Sequence, residues 1–161
     1  MRASRKHRLV AALAAWLIVL SLDLFVNAGL LGSKYTGADP VLVSNIEAAR
    51  RIPIAYGVWA IQVAALQWLL NRLDVRRMVD ATRYGATAGF LSGGLSLIAL
   101  WTIVRLDPVL TAAWILAATA EGVGAGTTLT YISRAGARGL YVVVPTAIAV
   151  VIAAFVLQNV R

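Results

Sequence analysis

The chain has 161 residues, of which 60% are apolar, with a formal net charge of +8 and no cysteine. So large an apolar share excludes an ordinary soluble domain and makes the bilayer the solvent. The missing cysteine excludes disulfides, thiolate metal sites, iron–sulfur clusters and cysteine nucleophiles together.

His7 is the only histidine and lies in a basic N-terminal tail, which excludes haem or zinc held by histidines within the membrane. No cofactor and no metal is therefore expected. The positive charge does not suggest nucleic acid, because the arginines sit in short segments between apolar runs, where membrane orientation places them. There is no phosphate loop, no HExxH and no GxSxG elbow, and the GVGAG at Gly122 to Gly126 follows a helical pattern rather than a strand.

A tail carrying Arg2, Arg5, Lys6 and Arg8 leads into an apolar run over about 9–31, long enough to cross a hydrocarbon core of roughly 30 Å. This is span one. A cleaved signal peptide is the rival reading, with Val26-Asn27-Ala28 as the peptidase site, but the run continues past Ala28 and contains Asp23. Gly32, Gly37 and Asp39-Pro40 then mark turns. Ser44 with Glu47 forms a capping-box pattern that predicts a short surface helix over about 45–51.

Span two is predicted over about 53–70, with Pro53 in its first turn, Tyr56 and Trp59 near one end and Trp68 near the other. Asp74, Arg76, Arg77, Asp80 and Arg83 follow at spacings that allow ion pairs along a solvated helical lead. Span three, over about 84–104, places Gly85, Gly89 and Gly93 four apart, so one face is nearly bare backbone. Asp107 as N-cap and Pro108 at the first helical position open span four, over about 109–132, as the antiparallel neighbour of span three. Gly122 and Gly126 extend the small packing surface onto that helix. Span five, over about 140–156, contains Pro145 and no internal charge, which makes it the most lipid-exposed helix of the set.

The expected fold is therefore an all-α bundle of five transmembrane helices forming one membrane domain. With the N-terminus cytoplasmic, the inner segments hold Arg2, Arg5, Lys6, Arg8, Arg72, Arg76, Arg77, Arg83, Arg134 and Arg138, ten of fifteen basic residues. That asymmetry predicts a multi-pass plasma-membrane protein with its C-terminus outside.

Two acids fall inside spans. Glu121 is near the middle of span four, and Asp23 is roughly 5 Å outward of the centre of span one at helical rise, so the two share a layer. A bare charge there costs on the order of 3 kcal/mol or more, and each acid needs a partner, a proton or a wet cavity. Trp16, Leu20, Asp23, Asn27 and Leu30 line one face of span one, while Glu121 sits among small residues on its own helix. Asp23, Asn27 and Glu121 are the candidate polar or proton site. Gln62, Gln67 and Thr119 are secondary polar partners.

From SLDLFVNAGLLGSKY through RIPIAYGVWAIQ to the glycine ladder and AEGVGAG, the chain resembles small bacterial multi-span integral-membrane proteins that have no assigned activity. The resemblance implies an acid late in the first helix followed by a polar residue and an outer tyrosine, here Asp23, Asn27 and Tyr35. It supplies no chemistry.

The first functional expectation is an accessory or structural membrane component in which the acids hydrogen-bond helices together. The alternative is a small proton- or cation-coupled transporter using Asp23 and Glu121. A lipid-modifying enzyme is a third reading, and requires polar groups such as Asp39, Tyr35 and Arg50 to converge at the membrane surface. The expected partners are lipid and either a second copy of the chain or another membrane protein.

Overall fold

In a computed structural model of the chain, residues 4–36 and 45–160 are described. Among them there is no strand. The turn signals at Gly37 and Asp39-Pro40, and the Ser44 of the capping box, lie outside the described residues.

Helix α1 spans Arg5–Leu24 and opens on Ser4, whose hydroxyl accepts from the His7 N–H at 3.3 Å. It continues as a π-helical turn, Phe25–Leu30, and a short 3-10 turn, Gly32–Thr36, follows. Helix α2 is Asn45–Arg72 and α3 is Met78–Gly89. A second π-helical turn, Phe90–Gly94, joins α3 to α4, Leu95–Trp101. Helix α5, Pro108–Ala135, is separated from α6, Leu140–Val160, by the 3-10 turn Gly136–Gly139.

Four helical stretches are long and apolar enough to cross a membrane: Arg5–Leu30, Arg50–Arg72, Met78–Trp101 and Pro108–Val160. The fourth contains 53 residues. Drawn straight it would be about 80 Å long, but it bends at Gly136, which sits at φ 64°, ψ −151°, a conformation that a side chain strains. Trp114, early in α5, meets Asn27 at the end of α1, and Gly136 lies against His7 at its beginning. Ala154, late in α6, touches Gly29. Hence α5 runs antiparallel to α1 and α6 runs parallel to it.

Two boundaries differ from the sequence reading. The segment expected as a surface helix over 45–51 and the span expected from Pro53 are one helix, with Pro53 inside it. Proline removes a single N–H, and with Pro53 on an exposed face the helix carries through. The charged connection after Arg72 is not helical throughout: Asp74 adopts φ 48° and pairs with Arg76 at 3.1 Å across a turn, and α3 begins at Met78. At the next junction the local signals and the coordinates agree. Asp107 accepts from the N–H groups of Val109 and Leu110 at 2.7 and 2.9 Å, directly ahead of Pro108.

Packing is inverted relative to a soluble protein. The interior mixes alanines, among them Ala11, Ala15, Ala81, Ala125 and Ala147, with larger residues such as Leu129 and Ile132, whereas Ile61, Trp68, Leu116, Ile148 and Phe155 face outward. Without a hydrophobic drive between helices, close backbone approach supplies the cohesion. Helices α3 and α5 show it most directly. A methyl added at Gly85 would strike the Gly122 carbonyl oxygen, one at Gly89 the Ala118 carbonyl oxygen, and one at Gly126 the Ala81 carbonyl oxygen. Gly93 lies over the Ala118 side chain, so the glycine ladder is occupied within the chain. Helix α6 buries only a narrow stripe that includes Val143, Ala147 and Ala154.

Candidate functional site: a polar layer between α1 and α5

The antiparallel pairing of α1 with α5 sets the heights of the two acids. Trp114 marks the level of Asn27. Glu121 lies two turns further along α5, and Asp23 one turn back along α1, so both fall on the same side of that level, about 5 Å apart in depth by helical rise. Both are partly buried, and the Asp23 carboxylate is near enough to Glu121 to interact with it electrostatically. Among the described residues no hydrogen bond joins them, and their surroundings are different.

Asp23 belongs to a closed network. The Asn27 amide donates to Asp23 Oδ1 at 2.5 Å, and the Tyr35 hydroxyl donates to Asn27 Oδ1 at 2.6 Å. From α5, the Trp114 indole N–H is shared between the Tyr35 hydroxyl at 2.9 Å and Asn27 Oδ1 at 3.2 Å. The Tyr35 and Trp114 rings stack, with centroids 6.5 Å apart and planes 16° apart. Asn27 lies in the π-helical turn that ends α1, and such turns often occur at functional positions. Tyr35, in the 3-10 turn beyond the membrane-spanning stretch, has its phenol pushed above the usual tyrosine range. Burial is the main cause, and the negative field of Asp23 adds to it, partly offset by the Trp114 hydrogen bond.

Glu121 faces something else. Among the described residues no group hydrogen-bonds to it, and its oxygens are not sealed from a water-sized probe. It borders a half-open cleft of about 50 Å³ between α1, α2, α5 and the helix formed by α3 and the second π-helical turn, with Gln62 and Ser92 exposed at its rim. Gln62 and Trp59 from α2, Ser92 from the second π-helical turn and Val19 from α1 stand around it, and Gly122 and Ala125 complete the α5 side. At about 10–15 Å³ per water, this volume holds roughly three or four waters. Glu121 is thus an acid with room for a mobile partner, and Asp23 is an acid whose partners are fixed.

The sequence-selected residues divide accordingly. Asp23, Asn27 and Glu121 come together in one layer, and Gln62 joins Glu121 at the cavity. Gln67 does not: it donates to the Arg8 carbonyl at 2.7 Å, tying the end of α2 to the start of α1. Thr119 turns back on its own helix, donating to the Ile115 carbonyl at 2.9 Å. Gly85, Gly89, Gly93, Gly122 and Gly126 form the α3–α5 contact, and Gly122 also lines the cavity beside Glu121. Of the residues required for a surface enzyme cleft, Asp39 is outside the described residues, Tyr35 is held by Trp114 and Asn27, and Arg50 is exposed on α2.

Several contributors carry no polar signal of their own in the sequence. Trp114 is one, although it stands seven residues before Glu121 and therefore on the same helical face. Ser92 is polar, but nothing in the sequence links it to Glu121: the π-helical turn carries it to the edge of the cleft. Trp16 donates to the Tyr56 carbonyl at 3.0 Å and fixes α2 against α1, and Tyr56 stacks on Trp59 with centroids 5.7 Å apart.

Comparison with known proteins gives no match to any family model, curated protein or solved structure.

Proposed function

We propose that the chain is a small transport-type integral membrane protein of the plasma membrane in which Glu121 exchanges a proton or a cation while Asp23 and its network hold the site open. The observation that carries this reading is the contrast between the two acids. A carboxyl that served only as glue between helices would be closed by donors, as Asp23 is. Glu121 instead borders a half-open cleft with room for several waters and has no protein donor among the described residues. In a bilayer interior that arrangement is costly and marks ion or proton handling.

Five crossings with the N-terminus inside fit this proposal. The reversal at Gly136 supports treating Pro108–Val160 as two passes, because α6 returns along α1 from the level of His7 to the level of Gly29. The bundle end that carries Arg8 also receives the end of α2 and the Gly136 turn, which brings Arg72, Arg134 and Arg138 together there. Lys34 lies near Asp107 at the opposite end. This clustering supports a cytoplasmic N-terminus by the positive-inside rule.

The test is flux in proteoliposomes. Wild type is expected to relax an imposed pH gradient faster than Glu121→Gln, with Asp23→Asn intermediate. Equal rates for all three would contradict the proposal.

A second reading, an accessory or structural component, is favoured by the Asp23 network, which needs no ligand to be satisfied. It predicts that Glu121→Gln leaves flux unchanged and that Trp114→Phe alters stability or partner binding instead.

A further inference from the structure

We infer that the Glu121 cavity binds a small protonated amine, of the size of ammonium or methylammonium, in exchange for the Glu121 proton. This names the cargo of the site proposed above and rests on that reading.

The argument is from the chemistry of the lining. The cavity's polar residues are Glu121, Gln62 and Ser92, and no cationic side chain is among the residues around it. Ser92 already donates its hydrogen to the Ala88 carbonyl at 2.8 Å, so its oxygen is left to accept. A carboxylate is acceptor-only, and the Gln62 amide presents one oxygen. Apart from the Gln62 NH₂ and the Trp59 N–H, the site offers negative charge and acceptors, and the matching ligand is a cation that carries hydrogen-bond donors.

A metal ion fits less well. Protein-bound hard cations rely on several carboxylates, whereas Glu121 is the one acid lining the cleft, and among the described residues no group of three acidic or metal-ligating side chains occurs. An ammonium group is satisfied by two or three acceptors. The remaining wall suits its substituent: Val19, Val63 and Leu66 are apolar. Donors rather than size set the selectivity: the cleft is half open, and methylammonium carries N–H groups for its acceptors whereas tetramethylammonium has none.

The exchange balances. Protonated Glu121 loses its proton to solvent as R–NH₃⁺ enters, giving a carboxylate–ammonium pair and one released proton. No redox partner or group transfer is involved.

The test uses the full chain in nanodiscs. Methylammonium chloride is titrated at constant ionic strength in weak buffer, while proton release and tryptophan fluorescence are followed. The inference predicts saturable proton release close to one per chain and a fluorescence change with the same midpoint. Tetramethylammonium and sodium chloride should give neither. Glu121→Gln should abolish proton release, and Ser92→Ala, which removes one of the acceptors offered to the amine, should weaken the midpoint about three- to tenfold. Equal responses to sodium and methylammonium, or an unchanged midpoint in Ser92→Ala, would overturn the assignment of the cargo. If methylammonium gives no response while Glu121 still speeds relaxation of a pH gradient, the amine is refuted and the proton-handling reading stands. If Glu121→Gln changes neither measurement, both fail.

Discussion

Gly85 on α3 and Gly122 on α5 face each other so closely that a methyl on either would strike the other's carbonyl oxygen. The contact fixes α3 against α5 directly beside Glu121, so the width of the cavity depends on it.

Alanine at Gly85 or Gly122 should destabilise the fold by about 1–3 kcal/mol, the range for overpacking. Gly57, which has nothing within 4 Å of an added methyl, is the control. There alanine should be neutral or stabilise by up to about 1 kcal/mol through the loss of helical glycine entropy. Unfolding midpoints in mixed detergent check both.

Trp114→Phe keeps the ring against Tyr35 but removes the N–H that reaches Tyr35 and Asn27. A loss of about 0.5–1.5 kcal/mol is expected. Tyr35→Phe should cost a similar amount, and the double variant less than the sum, because the two side chains share one network. Strict additivity would show that the bonds are not coupled.

Tyr35 also gives a pH signature. Its phenol is raised by burial, so between the ordinary tyrosine value near 10 and its higher folded value the native state holds a proton that the unfolded chain has lost. The sign follows: this contribution to stability is fully present below about pH 10 and is lost as pH rises through the folded value. Alkaline unfolding of Tyr35→Phe should lack that component.

Asp107 behaves oppositely. The N–H of Leu110 above all, together with that of Val109 and the nearby Lys34 charge, outweighs the opposing desolvation and holds its carboxyl below the ordinary value. Its stabilising effect is present above the unfolded value and is lost as pH falls through the folded one. Asp107→Asn, which keeps an acceptor for the helix start, should flatten the acid limb of the stability profile and leave the neutral region nearly unchanged.

What the sequence revealed followed the range of the interactions. The Asp107-Pro108 helix start is set by neighbouring residues, and the four-residue glycine spacing on α3 dictates a bare face wherever the helix packs. Glu121 was conspicuous because a lone acid in an apolar run has no local explanation. The distant pairings were not legible. Gln67 looked like an interior partner, yet the antiparallel course of α2 carries it to the Arg8 carbonyl. Trp114 carries no sign of its partner, because only the return of α5 along α1 brings it to Asn27. The two π-helical turns arise from shifted backbone hydrogen bonds with no residue signature, and they position Asn27 and Ser92. Pro53 is ambiguous for a simpler reason: a helix start and an exposed interior position both tolerate it.

The account rests on Glu121 being an exchangeable carboxyl open to water, and infrared spectroscopy of its carboxyl stretch tests that most directly. Difference spectra of wild type and Glu121→Gln in nanodiscs, recorded across a pH step in H₂O and in D₂O, isolate the band of this side chain. The account predicts a Glu121 band that appears and disappears with pH and shifts within seconds on transfer to D₂O. A band that ignores the pH step, or that resists deuterium for hours, would contradict it.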